Sequence, residues 1–383
     1  MAVVTRSRAD RLNPRRDPLA PWLHVDFMLV LGTVALASFG AAVIYSATRG
    51  ADPAAYDATF LERQVMFIMV GGALMAGVAL VPYNHLRAWA ALAYAGGLVG
   101  LAGVLVLGIS VNGARSWFEI AGFQIQPSEF LKVAYIAVLA AYVSRFEGEM
   151  NLRQLGATLA IAAPPLLLIM AQPDVGTALV FVAITMGVLL IGGARFRHIL
   201  LMTALGLFAA VVIWNSGTLA SYQQERLISF IDPASSQTDT AYQQTQAQIA
   251  IGSGGITGQG FGNGRQTRGE FVPAQHTDFI FTVVAEEFGF VGSALVLSLF
   301  GLIVWRTWRT AKKAADMYGS LICVGVMTMV VFQMFQAIGM TMGIMPITGI
   351  PVPFLSYGGS SALTSFIAVG LVLNVHMRRY EVR

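Results

Sequence analysis

The sequence predicts an all-α integral membrane protein of about ten transmembrane helices, and three observations lead to that fold. Of the 383 residues, 56% are hydrophobic and 11% charged, with a mean hydropathy of +0.67. Soluble domains carry about 25% charged residues. Apolar stretches of near-spanning length recur along the whole chain. The lysines and arginines between them fall mainly on one side, as the positive-inside bias requires.

The first span follows a basic leader containing Arg6, Arg8, Arg11, Arg15 and Arg16. Its apolar run, Leu23 to Ser46, is too long for the core of a signal peptide, so it reads as an uncleaved span. Residues 1–22 are therefore expected to form a cytoplasmic basic tail, and 23–383 one polytopic membrane domain. The ten stretches run over 25–46, 62–81, 87–108, 128–145, 154–170, 175–193, 198–216, 278–305, 318–343 and 359–377. A spanning helix needs about 20 residues. The fifth contains Pro164 and Pro165, and the sixth starts just after Pro173 and Asp174. Broken or short helices at membrane depth are tolerated where protein or water satisfies the freed backbone, so this pair is expected to line a cavity.

With the N-terminus inside, 17 of the 24 basic residues lie in the tail, the joining segments on that side and the C-terminus. The other seven are Arg49, Arg63, Arg115, Lys132, Arg226, Arg265 and Arg268. Both termini are thus expected in the cytoplasm, with one large outer loop, 217–277, between the seventh and eighth spans. A pI near 9.3 would suggest nucleic acid in a soluble protein. Here the charge belongs to cytoplasmic loops, and no nucleic-acid partner is expected. The single cysteine, Cys323, rules out an internal disulfide. The five histidines show no metal-ligand spacing, and no Gly-x-Ser-x-Gly elbow occurs.

Several charged positions remain as candidates for chemistry. Glycines at 252–264 could suggest a phosphate-cradling loop, but no Lys-Ser/Thr follows them and no strand precedes them. Such a loop can bring backbone close to a bulky substrate, or can simply be flexible. His276-Thr277-Asp278 opens the eighth span, with Thr277 as the expected N-cap and Asp278 in the first turn. An aspartate there can merely complement the helix dipole. Partly desolvated at lipid depth, it would also hold its proton more tightly, as a general base requires. Glu286 and Glu287 lie two turns deeper, pointing to different sides, so at least one must face protein or a polar cavity. Ser128 is the expected cap of the fourth span, whose Glu129 and Lys132 share a face at i, i+3. They read as a local ion pair or as a cation facing an anionic substrate. Arg115 sits beside Trp117 as an interfacial anchor or an outer-face cation, and Asp174 marks the break between two spans.

Taken in chain order, NGARSWF (112–118), QPSEFLK (126–132), QPDVGT (172–177), GQGFGNG (258–264), HTDFIFTVVAEEFGFVG (276–292) and PVPFLSYGGSS (351–361) resemble the SEDS family (shape, elongation, division and sporulation). The resemblance covers essentially the whole chain after the tail. Its last loop looks more like the elongation member than the division member. It implies a peptidoglycan polymerase of the bacterial cytoplasmic membrane, transferring glycosyl units from lipid II onto the growing strand. By that resemblance Asp278 is the general base. Arg115, Glu129, Lys132, Asp174, Arg268 and Ser360 bind substrate, the cations facing the pyrophosphate. A divalent cation, Mg or Mn, on that pyrophosphate is compatible but not demanded, and no cofactor is otherwise implied. The implied partners are a class B penicillin-binding protein, other elongation-complex proteins and membrane lipids. Two rival readings accommodate many of the same residues: a lipid II flippase, and a non-enzymatic scaffold. A flippase needs polar groups along the whole path, whereas Asp278, Lys132, Arg115 and Asp174 gather in the outer half.

Overall fold

The computed structural model describes residues 21–50, 56–111, 114–120, 122–146, 148–215 and 239–380, together with Gln224, Arg226, Ile228 and Phe230. The basic leader up to residue 20 lies outside them, as do Asn112 and Gly113 and parts of the large loop.

Ten long helices correspond one for one to the ten apolar stretches. They are α1 (Phe27–Thr48), α2 (Thr59–Leu80), α3 (Tyr83–Leu107), α4 (Pro127–Val143), α5 (Leu152–Ala171), α6 (Val175–Ile191) and α7 (Phe196–Asn215), then α10 (Ile280–Lys313), α11 (Met317–Thr341) and α12 (Gly359–Met377). Seven of them, all but α4, α6 and α7, are long and apolar enough to cross a membrane by themselves. The 17-residue α4 and α6 reach only about 26 Å, short of a ~30 Å hydrocarbon core. Both begin at the same polar cluster described below, which is therefore recessed into the bundle. α12 is the most enclosed helix, and α2 and α3 turn most of their surface outward.

The structure differs from the expected break at Pro164–Pro165 and adds elements in two connecting segments. α5 continues unbroken through Pro164 and Pro165, and the chain breaks only at residues 172–174. The segment after α3 folds into a three-stranded antiparallel meander, β1 (Ile109–Val111), β2 (Ala114–Ile120) and β3 (Phe123–Ile125). The large loop contains a 16-residue helix, α8 (Asp239–Gly254), and a short one, α9 (Arg265–Arg268).

The glycine-rich stretch after α8 is packed against the helix that follows the loop. It lies flush on α10, whose ladder is interrupted at Gly289 (φ +64°, ψ −156°). Gln259 and Gly260 N–H donate to the Glu286 and Glu287 carbonyls, both at 3.0 Å, while Phe290 and Val291 N–H donate to Gly255 and Ile256 at 2.9 and 3.1 Å. A Cβ on Gly258 would stand 2.1 Å from the Glu287 carbonyl oxygen, and its φ of +81° disfavours any side chain.

The opposite, basic end is tied by Asp26. It caps α1 through Leu29 N–H (3.1 Å) and pairs with Arg306 of α10 at 2.7 Å. Asn374 and Arg378 donate to the otherwise open carbonyls of Val78 to Val81 at the end of α2.

Gly258→Ala is expected to cost at least ~2 kcal/mol, because clash and backbone strain add. Gly72→Ala, where a Cβ meets nothing within 4 Å, should be neutral. Thermal unfolding of the two variants in detergent compares them directly.

Candidate active site

The site is built where the starts of α4, α6, α10 and α12 converge. α4 opens with Pro127 in its first turn, and Gln126 rather than Ser128 occupies the cap position. Ser128 Oγ is buried without a hydrogen-bond partner, so the expected serine cap is not made. Gln126 is committed across the gap instead. Its N–H donates to Ser360 Oγ (3.0 Å) and its side-chain amide to Asp174 Oδ2 (3.2 Å). Asp174 in turn caps α6, accepting from Thr177 N–H at 3.0 Å and Thr177 Oγ1 at 2.8 Å. One turn into α4, Lys132 Nζ meets Glu129 Oε1 at 2.7 Å, with the two residues 1% and 4% exposed. A pair this dry satisfies itself, and it does not snorkel to the surface.

Asp278 lies in the turn before α10, which begins at Ile280 with Phe279 in the cap position. Thr277 therefore does not cap this helix; its hydroxyl goes to the Ala274 carbonyl (3.1 Å). The turn is shouldered by the proline-rich loop before α12. Tyr357 N–H donates to the His276 carbonyl (2.9 Å), and Ser356 Oγ to the Thr277 carbonyl (2.6 Å). Gly349 turns this loop beside the Asp278 carboxylate in a backbone conformation (φ +73°) that favours glycine.

The acids sense one another. Asp278 is half-buried, and loss of water pushes its carboxyl up to about 6. Arg226 opposes that rise, and the charge of Asp174 adds to it. Desolvation likewise raises Asp174, against the hydrogen bonds from Thr177, with Glu129 raising it further and Lys132 lowering it. Asp278, Asp174, Glu129, Lys132 and Arg226 thus form one electrostatic cluster, with Ser360 joined to it through Gln126.

Arg115, on β2, is exposed and donates to the Leu105 carbonyl at 3.3 Å. Arg268 ends α9, an element held by Glu286, which accepts from Gln266 N–H (2.7 Å), Thr267 N–H (3.0 Å) and Thr267 Oγ1 (2.7 Å). A surface cavity of about 610 Å³ in this loop is lined by Ser253, Gln259, Arg265 and Gln266, none of which belongs to the cluster. Arg226 and Gln126 entered the sequence reading only as a loop cation and as part of a motif. A lone arginine in a long loop carries no signal of where the loop returns, whereas Gln126 beside Pro127 was legible as a helix start. Among the described residues no group of three His, Cys, Asp or Glu side chains is arranged to hold a metal ion.

Residues 27–381 match the FtsW/RodA/SpoVE family, described as cell cycle proteins. The chain belongs to this family. It is the one its motifs resemble, and the all-helical membrane fold is the family's. Stage V sporulation protein E of Bacillus subtilis is 37% identical over 91% of this chain and 96% of that protein. Peptidoglycan glycosyltransferase MrdB of Escherichia coli is 32% identical over 96% of this chain and 97% of that protein. A solved structure titled "Structural coordination of polymerization and crosslinking by a peptidoglycan synthase complex" superposes with a TM-score of 0.81 at 31% identity. It covers 94% of this chain and 100% of that one.

Lys132→Ala would strand the buried Glu129 charge and should cost about 3–5 kcal/mol. Replacing both partners, Glu129→Gln with Lys132→Met, should recover most of that stability. Chemical denaturation of the single and double variants checks the pair.

Proposed function

We propose that this chain is a peptidoglycan glycosyltransferase that extends glycan strands from lipid II at the outer face of the bacterial cytoplasmic membrane. The observation that carries the reading is the partly desolvated Asp278 carboxyl, clasped by the loop before α12 and set among buried charges. The activity printed for the Escherichia coli relative supports the reaction class. With the basic end in the cytoplasm, the Asp278 end faces outward.

In the proposed step, ionised Asp278 accepts the proton of the acceptor sugar's 4-hydroxyl. The hydroxyl oxygen bonds to the anomeric carbon of the donor, and that carbon's bond to the lipid pyrophosphate breaks. The electron pair leaves with the pyrophosphate. A single displacement converts an α donor bond into a β-1,4 product. A base placed this way contributes roughly 10²–10⁴-fold. Glu129 orients Lys132, and Asp174 and Ser360, tied through Gln126, fix the wall opposite Asp278.

Within the family we assign the chain to wall elongation and rod shape, with a class B penicillin-binding protein supplying cross-linking. The loop PVPFLSYGG and the MrdB relative support elongation, while the sporulation relative is of similar closeness. The synthase complex named for the superposed structure supports the partner. Restoring rod shape, and not septation, to cells depleted of their own polymerase is the expected result. Rescue of septation alone would defeat the assignment.

Asp278→Asn should abolish lipid II polymerisation by the purified protein with its partner, and retained activity would remove the general-base role. Because the base must be ionised, the wild-type rate should fall about tenfold per pH unit below pH about 6 and level off above it.

The same variant tests stability. The folded state binds this proton more tightly than the unfolded chain does. Ionised Asp278 therefore costs stability in full above pH about 6, in part down to about 4, and not at all below. Asp278→Asn should accordingly be ~1–3 kcal/mol more stable than wild type at pH 7.5 and equal to it near pH 3.5, read by denaturation.

A further inference from the structure

One face of α2 looks into this site. Phe60, Arg63, Gln64 and Phe67 stand at i, i+3, i+4 and i+7, which places them on one side of the helix. The Phe60 ring lies 5.0 Å from His276 and 5.2 Å from Tyr357. The Gln64 amide reaches the Ser356 carbonyl at 3.5 Å. Phe67 lies 6.4 Å from Tyr357 and 6.1 Å from Phe123.

Arg63 sits among them, half-buried, with its guanidinium carbon 5.5 Å from the centre of the Phe123 ring. Phe123 opens β3. The carbonyl of the next residue, Gln124, accepts from Ser360 Oγ (3.5 Å), and Gln126 binds Asp174. Arg63 is therefore bracketed by the two arms of the site, one leading to Asp174 and the other, two residues past His276, to Asp278.

The charge balance gives this position a purpose. Among the described residues, the cations that act on Asp278, Asp174 and Glu129 are Lys132 and Arg226, so these five groups when ionised sum to one net negative charge. A pyrophosphate entering it would be repelled. Lys132 is already paired with Glu129, and Arg115 is turned to a backbone carbonyl. Among the described residues no carboxylate forms an ion pair with Arg63. The acid nearest in sequence outside α2, Asp57, accepts from Thr59 N–H (2.9 Å) and Thr59 Oγ1 and senses the Arg63 charge through space without forming an ion pair with it. A guanidinium resting on an aromatic face keeps its N–H edge free, and that planar fork matches two phosphate oxygens at once.

We infer that Arg63, resting on Phe123, holds the pyrophosphate of the lipid-linked substrate at the mouth of the Asp278 site. This rests on the glycosyltransferase reading and names the group that binds its leaving phosphate.

The test uses full-length purified protein as wild type, Arg63→Gln, Arg63→Lys and Asp278→Asn. Binding of undecaprenyl pyrophosphate is compared with that of undecaprenyl monophosphate. Wild type and Asp278→Asn should both prefer the pyrophosphate. Arg63→Gln should bind it at least tenfold more weakly, with the monophosphate little changed and the preference gone. Arg63→Lys, which keeps the charge but loses the fork, should fall between. In polymerisation, Arg63→Gln should raise KM about tenfold and leave kcat within about twofold. An arginine that merely anchors α2 would move both ligands alike, and that result overturns the proposal.

Separate binding arms with lipid II and with a lipid-linked tetrasaccharide distinguish the donor's pyrophosphate from the growing strand's. A defect in either supports the assignment, and a defect in neither sinks it. If Arg63→Gln fails to fold, Arg63→Lys carries the test, and wild-type discrimination in that variant overturns the proposal. Wild-type protein that binds pyrophosphate through Arg63 but forms no glycan would refute the parent reading alone.

Discussion

A carboxylate removed from water must find donors or a cation, and three fully buried glutamates at one end of this bundle dictate how its loops are arranged. Glu129 takes Lys132 one turn along α4. Glu286, with no exposed surface, gathers two backbone N–H groups and a hydroxyl from the start of α9, and so pulls residues 265–268 onto α10. Glu287 accepts from Ser46 Oγ at the end of α1. The break of α10 at Gly289 belongs to the same arrangement, because the backbone groups freed there pair with residues 255 and 256 of the loop. Helix interruption at membrane depth is tolerated because the glycine-rich segment completes the ladder.

Asp278 stands apart from these satisfied acids. It loses water without gaining the set of donors that Glu286 enjoys, and Asp174 presses on it electrostatically. Its carboxyl therefore holds a proton more readily than an ordinary aspartate. The fold holds the turn just before it through backbone contacts, Tyr357 N–H to the His276 carbonyl and Ser356 Oγ to the Thr277 carbonyl. Rigid placement combined with incomplete solvation suits a group that must take up a proton and release it. Under the proposed reaction, it also sets stability against activity at this one position.

The two short helices and the recessed site share a physical origin. α4 and α6 stop short of spanning because Gln126 and Asp174, at their starts, are engaged with each other. α2 and the proline-rich loop flank this cluster, and Phe60 and Tyr357 from them meet His276 from the turn before α10. Polar ends of short helices thus face one another across a wall of aromatic rings.

The number and order of the spans, the all-helical class and the pairing of Glu129 with Lys132 followed from the sequence alone. They depend on local periodicity, span length and i, i+3 spacing, which a linear pattern records. The caps assigned to Ser128 and Thr277 failed because the neighbouring Gln126 and Thr277's own turn had partners distant in the chain. The glycine loop illustrates a related limit of a linear pattern: glycine permits close approach but does not name what approaches, and one partner in the fold is α10. That Asp174 lies near Asp278, that Arg226 returns to it, and that Arg63 faces the same mouth were decided only by tertiary structure. Electrostatic grouping depends on distance through space, and residues 63, 174, 226 and 278 are brought together by packing that no segment specifies by itself.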